Sequence, residues 1–288
     1  MQARFMKEKR TFFPILFFQI LFFTAVIFDI LLITHIRDEA KTLVRLDEEL
    51  LMQSLRNQQV DLELYEQFIS YEEADGYDRY AYLFGYLYSE LTEKDALDRQ
   101  IRRFIKRYPT EYERYYNYEK AIWSNLELFP VAESINNPSE TVAFEDSWMQ
   151  SRTFGGDRGH EGCDIMASFN VRGHYPIFSV CDGVVEKIGW LPQGGYRIGV
   201  RGSNGAYFYY AHLYDYAKDF VPGDKVVTGE LLGFMGDSGY SEIEGTVGNF
   251  AVHLHFGIYL NDENGDEFSV NSYAPLKYLE TRKKKCIF

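Results

Sequence analysis

The sequence predicts an α+β multidomain chain with an N-terminal transmembrane helix, a helical stalk and a C-terminal β-rich domain. Three observations lead to this fold class. A long apolar run follows a basic N-terminus, leucines recur at helical spacing in the stretch that follows, and glycine and β-branched residues become frequent after residue 138. A chain of 288 residues, 46% of them hydrophobic, can hold a membrane segment, a helical spacer and one cored domain.

The N-terminal segment has the pattern of a signal anchor. An apolar run from Phe12 to Ile36 follows four basic residues, Arg4, Lys7, Lys9 and Arg10. About 20 helical residues span a bilayer core, so the run is long enough to cross it. We therefore predict a cytoplasmic tail over 1–10 and a transmembrane signal anchor over 11–36 in a single-pass protein of the cell membrane with an extracytoplasmic C-terminal domain. A cleaved signal peptide is the main alternative, and it places that domain outside the cytoplasm as well.

Residues 37–138 are predicted to form a helical extracytoplasmic spacer. Apolar side chains recur at helical spacing among Glu, Gln and Arg, as expected for an amphipathic stalk: Leu43, Leu46, Leu50, Leu62, Tyr65 and Ile69. A helix start is indicated at 92–95 and a helix end at Pro109. The tyrosines between 112 and 118 could stack on sugar rings, but an aromatic helix face packed on a neighbour is the favoured interpretation. Pro130 and Asn136-Asn137-Pro138 mark the linker to the next domain.

The C-terminal domain, residues 139–288, contains a cluster of histidines typical of a metal site. The chain holds six histidines, and four of them lie in three short stretches that also supply an aspartate: His160, Asp164, His212, His253 and His255. Alternate side chains of a β-strand share a face, so His253 and His255 project from the same side. His160 and Asp164 would lie about 13 Å apart on an extended strand. A bend at Gly162 can bring these two side chains together.

This set of side chains predicts a catalytic zinc site. Such sites usually present three nitrogen or oxygen ligands and leave the fourth position to water, whose pKa falls to about 7. His160, Asp164 and one member of the His253/His255 pair would supply the ligands. The two remaining histidines would act on the water and on the developing oxyanion as general base and electrostatic stabiliser. The residues alone do not show whether His253 or His255 is the third ligand. They also do not show which of the remaining histidines is the base and which is the stabiliser.

Residues from about 150 to 275 resemble the lysostaphin-type (LytM-type) zinc metallopeptidases. The pattern of that family is His-x-x-x-Asp, then a His-Leu-like element, then His-x-His, and this chain has it at 160–164, 212–213 and 253–255. Two further stretches are similar to strand and turn segments of the family: 180–185 and 221–233. The resemblance therefore extends beyond the histidine motif.

The resemblance implies a mostly antiparallel β-sheet peptidase domain that hydrolyses peptide bonds in the stems or cross-bridges of bacterial peptidoglycan. Carried over by position, it makes His160, Asp164 and His255 the ligands of one Zn²⁺ ion per chain. His212 and His253 become the catalytic pair. The expected partners are a peptidoglycan peptide as substrate and the cytoplasmic membrane, through the N-terminal helix.

Two departures from the family pattern leave the substrate preference undecided. The loop between residue 239 and His253 is longer than usual, and Gly257 stands where many relatives carry an acidic residue. The main alternative function is a non-catalytic zinc-binding scaffold or activator of other wall hydrolases, although such proteins usually lack one or more of the five positions, all of which this chain retains. A zinc-free carbohydrate-binding or carrier module is a third hypothesis, and it predicts no metal in the purified domain.

Charge and cysteine content restrict the possible partners and disulfide bonds. The formal net charge of −13 disfavours a nucleic-acid partner, because phosphate binding needs a basic surface. Cys163 and Cys181 could form a disulfide outside the cytoplasm, and Cys286 is expected to be free. The sequence does not specify the oligomeric state.

Overall fold

The computed structural model describes residues 17–34, 46–73 and 76–288. The chain divides into two compact units, Met1–Leu46 and Asp47–Phe288. In the first unit, helix α1 (Phe17–Thr34) is apolar and unburied, and its length and composition are compatible with a membrane span. Most of the predicted anchor is therefore helical. The predicted tail and both ends of the anchor lie outside the described residues.

Local signals set the ends of the helices that open the second unit. These helices are α2 (Glu48–Asn57), α3 (Leu62–Glu73), α4 (Arg79–Ser89), α5 (Lys94–Arg107) and α6 (Pro109–Trp123). The carboxylates of Asp47 and Asp78 cap α2 and α4 by accepting hydrogen bonds from the backbone N–H of Leu50 and Ala81. Pro109 follows the end of α5, as predicted, and occupies the first turn of α6, where a missing N–H costs nothing.

A mostly antiparallel β-sheet forms the C-terminal part of the chain, as the sequence predicts. The strands are β1 (Glu133–Ser134), β2 (Val142–Ala143), β3 (Ser151–Arg152), β4 (Arg158–Gly159), β5 (Cys163–Ala167), β6 (Pro176–Phe178), β7 (Gly183–Leu191), β8 (Gly195–Gly202), β9 (Tyr207–Tyr216), β10 (Lys225–Val226), β11 (Leu231–Met235), β12 (His253–Asn261), β13 (Glu267–Val270) and β14 (Lys285–Cys286). Their main order is β10-β7-β8-β9-β12-β5-β2, with β13 beside β12 and β11 between β6 and β9. A short helix, α7 (Tyr273–Leu279), follows β13.

Strand alternation separates a buried face of the sheet from a cleft face. Leu254, Phe256 and Ile258 of β12 are completely buried in the core, together with Phe208 and Tyr210 of the adjacent β9. The side chains between them point to the other face, which therefore carries the histidines of β12. A hydrophobic core thus fixes one side of the sheet while the opposite side is left for a site.

The helices pack on each other and on the sheet through aromatic side chains. Tyr112 of α6 meets Phe84 of α4 edge-to-face, with ring centroids 5.4 Å apart. Tyr118 meets Phe268 of β13 in the same way at 5.5 Å. The tyrosine stretch therefore packs on neighbours, as the favoured interpretation expects. Where the sequence suggests a stalk, the structure has α2 to α6 in one compact unit with the sheet.

The segment predicted to be a linker also belongs to this unit. Phe129 and Val131 are completely buried, and β1 pairs in parallel with β14 near the C-terminus. The domain boundary at residue 138 stays a prediction. The structure has all three cysteines as free thiols, with Cys163 and Cys181 buried.

Candidate metal centre and catalytic cleft

Three potential ligand atoms converge on the cleft face of the sheet. His255 lies directly opposite Asp164 in the antiparallel pair of β12 and β5, and His160 immediately follows β4. His160 Nε2, Asp164 Oδ1 and His255 Nδ1 are each 3.0 Å from the other two. A tetrahedral zinc ion with bonds of about 2.0 to 2.1 Å spaces its ligand atoms by about 3.3 Å. The donor types and the spacing of these three atoms therefore fit one small metal ion.

The bend at Gly162 is what brings His160 and Asp164 together. The chain leaves extended geometry between β4 and β5, as the sequence predicts, and Gly162 lies at the turn. A Cβ at this position would lie 2.6 Å from Cε1 of His255 and 2.8 Å from the backbone oxygen of Phe256. The backbone at residue 162 therefore passes the metal cluster at a distance that only glycine allows.

We expect Gly162→Ala to lower metal occupancy by tenfold or more, because the new methyl group pushes the His255 ring away from the other ligands. Metal content per chain, measured after dialysis against a buffered zinc solution, tests this expectation. Arg102→Ala, at an exposed position of α5, is the control and should keep the wild-type metal content. An alanine variant at 162 that retains wild-type metal content would contradict the role given to the bend.

Neighbouring side chains orient the ligands. His160 is 2% exposed, and its Nδ1 lies 2.9 Å from Oγ of Ser147. Arg152 donates a hydrogen bond from Nη2 to Oδ2 of Asp164 at 2.8 Å, which leaves Oδ1 toward the histidines. Burial opposes ionisation of Asp164, but hydrogen bonds from His160 and His255 outweigh burial and lower the pKa of the carboxyl. Asp164 is therefore held as the carboxylate that a metal ligand must be.

His212 and His253 lie beside the ligand cluster, with ring centroids 4.7 Å apart. Nδ1 of His212 is 2.8 Å from the carbonyl of Ser238, and Nδ1 of His253 is 2.7 Å from the carbonyl of Ala251. A carbonyl can only accept, so each Nδ1 must carry a hydrogen. In a neutral ring, Nε2 then holds the free lone pair, which makes Nε2 the atom available to take a proton.

A break in strand alternation explains how His212 reaches the cleft. His212 adopts a left-handed backbone conformation with φ of 63° inside β9. Ala211 pairs with His255 on the cleft face, so regular alternation would turn His212 into the core. The pairing register of β9 with β8 shifts between Tyr210 and Leu213, the stretch that contains His212, as at a β-bulge, and the bulge re-aims the imidazole. The sequence contains no clear signal for this bulge.

Burial affects the charge of both histidines. It lowers the pKa of His212 well below its usual value, and the nearby His253 and His255 act in the same direction. Burial also lowers the pKa of His253, although Asp164 opposes this shift. Both imidazoles are therefore held neutral near pH 7, which is the form that can accept a proton.

A cavity of about 350 Å³ extends from the ligand cluster along the sheet. His160, His212 and His255 line one part of it, and the remaining walls include arginine and tyrosine side chains of β8 and β9, Arg197, Tyr207 and Tyr209. No motif in the sequence singles out these side chains. Strand alternation could have placed them on the cleft face, because Arg197 is two residues from Gly199 on β8. Tyr207 and Tyr209 are likewise an even number of residues from Ala211 on β9.

The long loop before His253 forms the other wall. Tyr240 stacks on Phe154 of the β3–β4 turn, with ring centroids 4.9 Å apart and an interplanar angle of 6°. Phe250 lies 4.6 Å from the ring of His212 and 5.0 Å from that of His253. Aromatic side chains of this loop therefore surround the pair of histidines.

Residues 158–267, which contain the cluster, match the family described as Peptidase family M23. The fold and the match together place the domain among the lysostaphin-like peptidases, and the chain belongs to peptidase family M23.

Two named relatives each resemble part of the chain. It is 42% identical over 146 residues to the L-Ala--D-Glu endopeptidase of Bacillus subtilis (strain 168), covering 50% of this chain and 43% of the relative. It is 30% identical over 99 residues to the glycyl-glycine endopeptidase ALE-1 of Staphylococcus capitis, covering 34% and 24% respectively. The chain thus spans less than half the length of these curated relatives.

A solved structure resembles more of the chain. A Ruminococcus gnavus ATCC 29149 crystal structure that carries the name glycyl-glycine endopeptidase lytM has 37% sequence identity and a TM-score of 0.69. The alignment covers 82% of this chain and 93% of that one. Residues 139–288 make up about half of this chain, so the similarity includes part of the helical region.

Proposed function

We propose that this protein is a zinc metalloendopeptidase that hydrolyses peptide bonds in the stems or cross-bridges of bacterial peptidoglycan. The observation that carries the proposal is the arrangement of His160 Nε2, Asp164 Oδ1 and His255 Nδ1 at mutual distances of 3.0 Å, with two further histidines beside them. The names of the relatives support peptidoglycan peptides as the substrate class.

Each histidine has a distinct part in the proposed reaction. His160, Asp164 and His255 would hold the zinc ion, which when bound supplies a Lewis acid for the peptide carbonyl and a more acidic water molecule. His212 and His253 each present a neutral Nε2 and can take a proton from the attacking water. The imidazolium formed in this way can donate a hydrogen bond to the developing oxyanion or a proton to the leaving amine.

The N-terminal part supports a location at the outer side of a membrane. We propose that residues 1–10 form a cytoplasmic tail and that 11–36 form a signal anchor containing α1. Residues 37–138 would then form an extracytoplasmic helical region, and 139–288 the peptidase domain. In this arrangement the substrate and the candidate site lie on the same side of the membrane.

The non-catalytic alternative is less well supported. A scaffold that only binds zinc does not need two neutral imidazoles beside the ligands, and His212 is turned into the cleft at the expense of a left-handed backbone conformation. Strain of this kind is typical of positions with a functional constraint. We therefore retain catalysis as the proposed function.

Metal analysis and peptidoglycan digestion test this proposal together. The purified full-length protein should contain about one zinc ion per chain and should release peptides from purified peptidoglycan, with loss of activity after chelation and recovery on adding zinc. Mass analysis of the products identifies the bond that is cut. A protein that takes up no zinc from a zinc-supplemented buffer, or that holds zinc and releases nothing, would end the catalytic proposal.

A further inference from the structure

Two buried hydrogen-bond donors in the cavity lack an acceptor. Nη1 of Arg197 and Oη of Tyr207 are buried, and neither has a hydrogen-bond partner among the residues that the structure describes. Both side chains line the same cavity as His160, His212 and His255. Leaving a buried donor unpaired destabilises the fold, so a pair of such donors in one cleft indicates a ligand.

Strand pairing and the alternation of side chains place these two donors on the cleft face. Arg197 and Gly199 lie on the same face of β8, and Tyr207 of β9 lies opposite Arg201. A Cβ at residue 199 would overlap the Tyr207 hydroxyl, so the glycine makes room for the ring to lie along β8 in the direction of Arg197. The two donors therefore come from a specific combination of Arg, Gly and Tyr on adjacent strands.

The charges around the cavity favour an anion. Of the carboxylates that line it, Glu161 pairs with Arg56 at 3.6 Å and Glu267 pairs with Lys187 at 3.2 Å. Within residues 17–34, 46–73 and 76–288, neither Arg158 nor Arg197 forms an ion pair with a carboxylate. The cavity is thus locally positive in a chain whose formal net charge is −13.

The form of the two donors favours a carboxylate. A guanidinium group keeps its charge at every functional pH and matches the geometry of a carboxylate. Burial raises the pKa of Tyr207, so its hydroxyl stays protonated and can donate. A carboxylate accepts from both groups at once through its two oxygens, which a neutral backbone amide with one carbonyl oxygen cannot do as well.

The subsite lies close to the candidate metal centre. The ring centroid of Tyr209 lies 5.9 Å from that of His255, and the ring centroid of Tyr207 lies 6.4 Å from that of Tyr209. An extended peptide advances about 3.3 Å per residue, so a substrate held at the metal centre reaches Tyr207 within a few residues.

We propose that Arg197 and Tyr207, with Arg158 nearby, bind a free carboxylate that the peptide substrate carries close to the scissile bond. This inference rests on the proposed peptidase function and assigns the site a substrate class. The substrate is an acidic stem peptide, in which γ-linked D-glutamate keeps its α-carboxylate, and not a glycine cross-bridge, whose residues have no side-chain charge.

Two synthetic stem peptides that differ in one group test the proposal. One contains L-Ala-γ-D-Glu-L-Lys, and the other has D-isoglutamine in place of D-glutamate, so that a carboxamide replaces the carboxylate at equal size. The full-length zinc-loaded protein should show a kcat/KM about 10- to 100-fold higher for the carboxylate peptide. Arg197→Gln should reduce this ratio to within about threefold, and Tyr207→Phe should reduce it partly. Arg102→Gln, which removes one exposed charge on α5, should leave the ratio unchanged.

The outcomes separate the subsite from the peptidase activity. If both peptides are cut equally well, or if Arg197→Gln keeps the preference, the subsite is wrong and the peptidase function stands. If neither peptide is cut, calorimetric titration with the dipeptides γ-D-Glu-L-Lys and γ-D-isoGln-L-Lys decides the question. Tighter binding of the acidic dipeptide that depends on Arg197 supports the subsite without the reaction, and equal binding of the two dipeptides overturns it.

Discussion

Replacing His253 by alanine is expected to abolish turnover while the protein keeps its metal. Nε2 of His253 lies 3.7 Å from Oδ1 of Asp164, so the imidazole borders the metal cluster without belonging to the 3.0 Å triangle of ligand atoms. A positioned general acid or base contributes about 10²- to 10⁴-fold to the rate. We therefore expect kcat on peptidoglycan peptides to fall by that factor, with zinc content near one per chain.

His255→Ala and His174→Ala are the matched variants for this experiment. His255 supplies one of the three converging atoms, so its loss should remove both zinc and activity. His174 lies outside the cluster beside Glu140, and its replacement should affect neither zinc content nor kcat. Full activity of His253→Ala, or loss of zinc from it, would show that the ligand and catalytic roles have been assigned wrongly.

The sequence predicts the positions of those site residues that follow regular backbone geometry, and it misses the one that does not. His253 and His255 share a face because β12 alternates normally, and Gly162 makes the bend that His160 and Asp164 need. Both features follow from local rules. The position of His212 does not, because a bulge in β9 reverses its orientation.

Long-range packing also limits how much of the fold the sequence predicts. Helical spacing in the first half of the chain predicts helices, but it contains no information about what they pack against. Asn271 N–H donates to the carbonyl of Arg56 at 2.7 Å, and Arg56 Nε donates to the carbonyl of Ser269 at 3.1 Å. These bonds join residues more than 200 positions apart and attach α2 to the sheet. No periodicity in the sequence could have indicated them.

A large pH effect on stability near neutral pH is expected from Glu119, which lies in the helical region and is 2% exposed. Burial raises the pKa of Glu119 to about 8, although hydrogen bonds from Nε2 of Gln58, at 3.0 and 3.2 Å, act in the opposite direction. The folded protein therefore keeps this proton at pH values where the unfolded chain, with an ordinary carboxyl pKa, has lost it.

The sign of the pH dependence follows from proton binding. Between about pH 4.5 and 8 the folded state binds one more proton than the unfolded state, so the free energy of unfolding falls as pH rises. One pKa unit corresponds to about 1.4 kcal/mol, so the loss across this window is on the order of 5 kcal/mol. Below the window both states are protonated, and above it both are ionised.

Glu119→Gln should remove this dependence, because an amide of the same shape has no proton to lose in that range. Denaturant unfolding followed by circular dichroism should give similar stabilities for the two proteins near pH 4.5 and a variant more stable by several kcal/mol near pH 8.5. Glu113→Gln, at an exposed position of the same helix, should show no such divergence. The histidines contribute equally to both proteins, so the difference between the two curves isolates Glu119. A difference that stays constant from pH 5 to 9 would mean that Glu119 is ionised in the folded protein and that its burial is compensated by another group.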